Sequence, residues 1–240
     1  MSSRKLRIDP TNADGIIDRL AQNMNLRRGS CAHQNWLGIA EAKQVQDAGI
    51  IVERGWSLQM PFPNLDQSQL AWVTRQVAAY IDQHRQTFRG RAVPLEANQR
   101  TAMQPFFQAI ALDSARLILL GEHASNPSFY CELAQMGFDP ASLPNFTEMA
   151  AITFVDTVVF HVPLTVRTLF HELVHVIQYR KLGLADFAAK YVMGFLTGGS
   201  YEAIPLERNA YELDGRFASA PSNHFSVEAE IQSWIDANKF

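Results

Sequence analysis

A chain of 240 residues with 47% apolar and 19% charged side chains has material for a large core and is too apolar for extended disorder. Its formal charge of −3 argues against a general nucleic-acid-binding surface, and two distant cysteines, Cys31 and Cys131, do not describe a disulfide scaffold. No apolar run approaches bilayer-spanning length and the start, Met-Ser-Ser-Arg-Lys-Leu-Arg, leads into no apolar stretch, so the expectation is a soluble cytoplasmic protein without membrane or nucleic-acid partners, export by a signal-free route being left open.

In chain order, residues 12–26 read as a helix, with Ile16, Ile17, Leu20 and Met24 at helical spacing and Asn12 as its cap. Residues 35–48 form a weaker helical stretch, Ile50-Ile51-Val52 a short strand, and Met60-Pro61-Phe62-Pro63-Asn64 a break. Residues 66–88 carry Leu70, Val73, Val77, Tyr80 and Ile81 on one side and are the clearest helix of the first half. Residues 1–100 thus read as a mainly helical N-terminal region without a catalytic pattern. The basic residues near Arg85, Arg89 and Arg91 read as a solvated helix end, and His33 and His84 as surface or structural residues.

From Thr101 the character changes. A short helix is expected over 105–112, leading into Arg116-Leu117-Ile118-Leu119-Leu120, an apolar run suited to a buried strand that Gly121 stops. Residues 151–160, rich in β-branched and aromatic side chains, read as a strand or a hairpin bent near Asp156. Pro163 separates them from a further helix with Thr165 as cap and Gly183 as terminator.

That helix contains Phe170-His171-Glu172-Leu173-Val174-His175-Val176-Ile177-Gln178, an HExxH motif. Positions four apart share a helix face, so His171 and His175 turn their rings to one point, where neutral imidazoles ligate zinc. Glu172 hangs beside the metal without ligating it, placed to take a proton from a zinc-activated water. Val166, Leu169, Phe170, Leu173, Val174, Val176 and Ile177 make the segment apolar on nearly all sides, as in a buried helix, where uncompensated ionisable groups cost several kcal/mol. The competing reading is a pair of core histidines hydrogen-bonded to neighbours.

A catalytic zinc usually keeps three protein ligands. The metzincin spacing would need Gly at 178 and His at 181, where the chain has Gln178 and Lys181. The next acidic concentration is 201–214. Pro205 suits the first turn of a new helix, and Leu206, Ala210, Leu213 and Phe217 give it a buried stripe beside which Glu207 lies. Glu207 is the favoured third ligand, with Glu202 and Glu212 as alternatives.

An HExxH helix followed by a Glu on a second helix resembles the gluzincin group of zinc metallopeptidases, and His-Glu-Leu-Val-His-Val-Ile-Gln looks like the short bacterial metallopeptidase-like domains whose helix reads HELxHVxQ. The resemblance covers about residues 110–220. It implies an α+β, zincin-like domain over 101–240, with a small mixed sheet, an active-site helix and a second ligand-bearing helix. It also implies one zinc ion on His171, His175 and Glu207 with Glu172 as base. In such domains a strand before the motif helix lines the substrate cleft, matching residues 152–160. One departure stands out: thermolysin-like gluzincins place an Asp four residues after the ligand Glu to orient a His, and here that position is Tyr211, with Asp214 one turn further as a substitute.

The expected activity is zinc-assisted hydrolysis of a peptide bond in a peptide or protein substrate. Tyr201, Tyr211 and Arg208 are candidates to steady the oxyanion, and Gly198-Gly199-Ser200 reads either as a hinge or as a turn. Two other readings stand beside it. One is a zinc-binding structural or partner-binding module, in which His161 or His123 would close the coordination; the other is hydrolysis of a non-peptide amide.

Overall fold

The computed structural model describes residues 62–119 and 123–240, all within the unit Ser57–Phe240. The helices expected over 12–26 and 35–48 and the strand at 50–52 lie outside the described residues.

Helix α1, Gln67–Arg89, begins with a reciprocal cap. The Asp66 carboxylate accepts the backbone N–H groups of Ser68 and Gln69, each at 2.8 Å, and the Gln69 side chain accepts the N–H of Asp66 at 2.9 Å. Its apolar side buries Val73, Ile81 and Phe88 against the elements that carry the site.

After the short strand β1, Val93–Pro94, come helices α2, Ala97–Met103, and α3, Ala109–Ser114. The single helix expected over 105–112 is therefore corrected: residues 104–108 form a turn between two helices. Pro105 has no N–H for a helical ladder, and the N–H groups of Phe106 and Phe107 both reach back to the Met103 carbonyl. The turn drives both phenyl rings into the core against Phe170.

Strand β2, Arg116–Leu119, and helix α4, Tyr130–Gln135, precede the hairpin of β3, Ala151–Phe154, and β4, Thr157–Phe160. The described strands form one four-stranded mixed sheet in the order β1-β2-β4-β3, in which β2 and β4 run parallel and the other neighbours antiparallel. Parallel pairing and burial on both faces explain why Thr157-Val158-Val159-Phe160 is apolar without alternation. Val158 and Phe160 face one core cluster with Leu169, Phe170 and Leu173, and Val159 the other with Phe88 and Phe187.

Val155 and Asp156 make the hairpin bend. Val155 has φ 61°, a left-handed conformation that a β-branched residue adopts only under strain. What holds it is Asp156, whose carboxylate takes Arg85 Nε at 2.8 Å, Arg85 Nη2 at 2.9 Å and Arg89 Nη1 at 3.0 Å, and whose carbonyl accepts the Arg116 N–H. Arg85 and Arg89 are thus hairpin anchors and not merely a solvated helix end.

Helix α5, Val166–Gly198, is capped by Thr165, whose hydroxyl accepts the Thr168 N–H at 3.0 Å. Gly183, the expected terminator, has φ 78° and ψ 165° and interrupts the helix, but helical backbone resumes directly after it. The end comes at Gly199, left-handed at φ 77°. A Cβ on Gly194 would lie 2.5 Å from the Pro205 ring and one on Gly198 2.6 Å from Ala203, so the turn after α5 packs closely against the end of that helix. Helices α6, Pro205–Ser219, and α7, Val227–Asp236, complete the unit, α7 docking on the 104–108 turn through Glu228, which accepts the Gln108 N–H at 2.8 Å. Among the described residues no helix is long and apolar enough to cross a membrane.

Candidate metal centre

One turn of α5 brings His171 and His175 together with Nε2 atoms 3.2 Å apart, both side chains buried. Glu207 enters from the first turn of α6, its Oε2 3.6 Å from His171 Nε2 and 3.4 Å from His175 Nε2. The favoured assignment of Glu207 over its neighbours agrees with burial: Glu207 is inside, whereas Glu202, Arg208 and Glu212 are exposed. Among the described residues, these three are the grouped His, Cys, Asp and Glu side chains able to share a cation.

The remaining ring nitrogens decide what the triangle is for. His171 Nδ1 faces Asp214 Oδ2 at 3.0 Å, and His175 Nδ1 faces Gln178 Oε1 at 2.8 Å. Neither partner can donate from that atom. The Gln178 amide is oriented by its own donations to the Leu206 carbonyl at 2.9 Å and Asn209 Oδ1 at 3.0 Å, and Asp214 is gripped by Arg167 Nη2 at 2.7 Å. Both Nδ1 atoms therefore carry the proton, and two Nε2 lone pairs converge with a carboxylate oxygen that has no hydrogen-bond partner.

Three acceptors facing one another repel unless a cation sits among them. Ligands held at about 2.0–2.1 Å in a tetrahedral set lie about 3.3–3.4 Å apart, which the 3.2, 3.4 and 3.6 Å edges match. Charge-assisted N–H to carboxylate bonds run at about 2.7–2.9 Å, so direct His–Glu ion pairing fits these separations worse. The residues present fit a zinc-like cation.

The electrostatics point the same way. Burial opposes the charge of Glu207, yet the adjacent His175 and His171 rings hold its carboxyl down at about 2. Burial opposes a charged His171 too, but Asp214 and Glu207, then Glu172, push that ring up to about 10, and His175 is raised chiefly by Glu207. The pocket is built for positive charge, which protons supply when no metal does.

Glu172 is buried beside this group, with its Oε2 accepting the Thr153 hydroxyl of β3 at 2.7 Å. Glu172, His171, Tyr201, Tyr211 and Asp214 line a cleft of about 290 Å³ that also includes the start of β3. Tyr211 is half exposed with its ring 4.7 Å from that of His171. Tyr201 lies against Glu207, and burial followed by that charge pushes its phenol well above its ordinary value. His161 is not free to ligate: its Nε2 accepts the Ala124 N–H at 3.1 Å, its Nδ1 donates to the Met149 carbonyl, and the His123 ring packs against it at a tilt, centroids 4.7 Å apart.

Sequence reading missed Thr153, Arg167, Asn209 and the role of Gln178. Gln178 alone left a local signal, as a polar residue three positions after His175 in an otherwise apolar helix. No protein-family model, curated protein or solved structure matches this chain.

Proposed function

We propose that this unit is a zincin-like, zinc-dependent peptidase of the gluzincin kind. The observation that carries the reading is the convergence of three buried acceptors, with an orphaned Glu207 oxygen, beside a further carboxylate, Glu172, that is held apart from them by Thr153. Zinc, when bound by His171, His175 and Glu207, supplies a Lewis acid that polarises an amide carbonyl and acidifies water.

The chain's own residues do the rest. Glu172, fixed at Oε2 by Thr153, takes a proton from the attacking water and passes it to the leaving amine. Tyr211 and Tyr201, on the cleft wall, are the donors placed to steady negative charge on the carbonyl oxygen. Strand β3 lies at the edge of the sheet and begins in the cleft wall, beside which an extended peptide can lie. A structural zinc module usually closes with four protein ligands, and the grouping of only three among the described residues supports an enzyme over a module.

The test is zinc analysis of protein purified without added metal, together with cleavage of a peptide library by wild type and Glu172→Gln. One equivalent of zinc in both, with cleavage lowered at least about a hundredfold in the variant, is expected. Unchanged cleavage with zinc retained removes Glu172 from the chemistry, and well-folded protein that takes up no zinc removes the site.

A further inference from the structure

Next to the metal-ligating triad lies a second space that hydrolysis as described leaves unused. A cavity of about 110 Å³ opens between α1, α4, the later half of α5 and the hairpin, and His175 and Glu207 form part of its wall. Tyr201 lines both this cavity and the cleft, so the two adjoin at the triad.

The cavity is apolar in spite of its tyrosines. The Tyr80 hydroxyl donates to the Ser125 carbonyl at 2.6 Å, Tyr130 to Pro144 at 2.9 Å, and Tyr179 to Thr153 at 3.4 Å. With those hydroxyls spent on backbone, the rings present carbon to the space, together with Val77, Leu133 and Leu196. An ion entering would lose several kcal/mol of hydration without a partner, because the Glu207 carboxylate is already committed to the triangle with His171 and His175.

We infer that this chamber receives one bulky, uncharged apolar side chain of the substrate, of leucine to phenylalanine size, beside the bond that is cut. The inference rests on the peptidase reading above. Size sets the limit: a dry apolar cavity of about 150 Å³ takes a benzene ring, and 110 Å³ is of that order, too small for a long acyl chain.

Simple hydroxamates test this on the zinc-loaded full chain by calorimetry, since they chelate zinc while the rest of the molecule probes its surroundings. Acetohydroxamate gives the baseline. The 3-phenylpropanoyl and 4-methylpentanoyl compounds should bind about 10- to 100-fold tighter, and the succinyl compound no better than baseline. Val77→Phe on α1 and Leu196→Phe on α5 each fill the chamber from a different wall, so either alone suffices if the other fails to fold. In each the apolar advantage should vanish while zinc content and acetohydroxamate affinity hold. Equal affinity across the series with zinc bound overturns the chamber assignment and leaves the metal site standing. Affinity that keeps climbing through a decanoyl chain overturns the side-chain size and points to acyl substrates. Absence of both bound zinc and hydroxamate binding overturns the metal site and the chamber with it.

Discussion

The Nδ1–H of His175 donates to Oε1 of Gln178, 2.8 Å away and just under a turn further along α5, and the same Gln178 amide binds the backbone of α6 at Leu206. One side chain thus orients a metal-facing ring and ties down the helix that bears Glu207. Gln178→Leu should lower zinc affinity about 10- to 100-fold. It should also cost about 2–4 kcal/mol of stability by stranding the Leu206 carbonyl and Asn209 Oδ1. Gln178→Glu returns an acceptor to His175 but no donor to Leu206, so affinity should recover while stability stays low. Chelator competition and urea unfolding read the two effects separately.

Zinc should stabilise the folded chain by mass action, about 2.7 kcal/mol at a free concentration one hundred times its dissociation constant. Glu207→Gln, which removes the anionic member of the triangle, should abolish most of that gain. The check is the melting temperature of wild type and variant with zinc and with EDTA; an equal zinc-dependent shift in both would remove Glu207 from the ligand set.

On the proposed zinc reading, protons compete with the metal for the centre, and the sign follows from His171. Its folded value is raised from 6.5 to about 10, so in metal-free protein its ionic contacts stabilise fully below pH 6.5 and are lost as pH rises through 10. Glu207, lowered from 4.5 to about 2, stabilises above pH 4.5 and loses its contribution as pH falls through 2. With His175 raised as well, zinc binding at pH 7 should therefore release at least one proton, and affinity should climb at least about tenfold per pH unit just above 7. A pH-stat titration with zinc measures the release.

Val155 stores strain at the hairpin bend, φ 61°, that glycine would not feel. Val155→Gly should stabilise by about 0.5–2 kcal/mol, the relief of a left-handed β-branched residue less the extra chain entropy of glycine. Asp156→Ala should act the other way by freeing Arg85 and Arg89. Equilibrium unfolding in urea distinguishes them.

The site was legible in the sequence where its logic is local. His171, Glu172 and His175 follow from helix periodicity, and Glu207 from its place beside the stripe of Leu206, Ala210 and Leu213. Asp214 came only from the resemblance, as a substitute for the Asp that thermolysin-like gluzincins carry at the position of Tyr211, and it stands 3.0 Å from His171. Thr153 was not legible, because a strand residue nineteen positions before Glu172 meets it only through sheet packing. Neither was the chamber, whose walls come from several elements distant in sequence. The helix expected over 105–112 failed at Pro105, where burial of two phenyl rings favours a turn over a continuous ladder.

Every cation-facing donor, and the Asp and Gln that aim the rings, comes from the single stretch between His171 and Asp214. Gathering them closes only a short loop in the chain, whose entropic penalty is small and grows slowly with length. Assembly of the centre is thereby decoupled from the wiring of the sheet. Circular permutation with new ends opened between α6 and α7 should leave the donors contiguous and metal uptake intact.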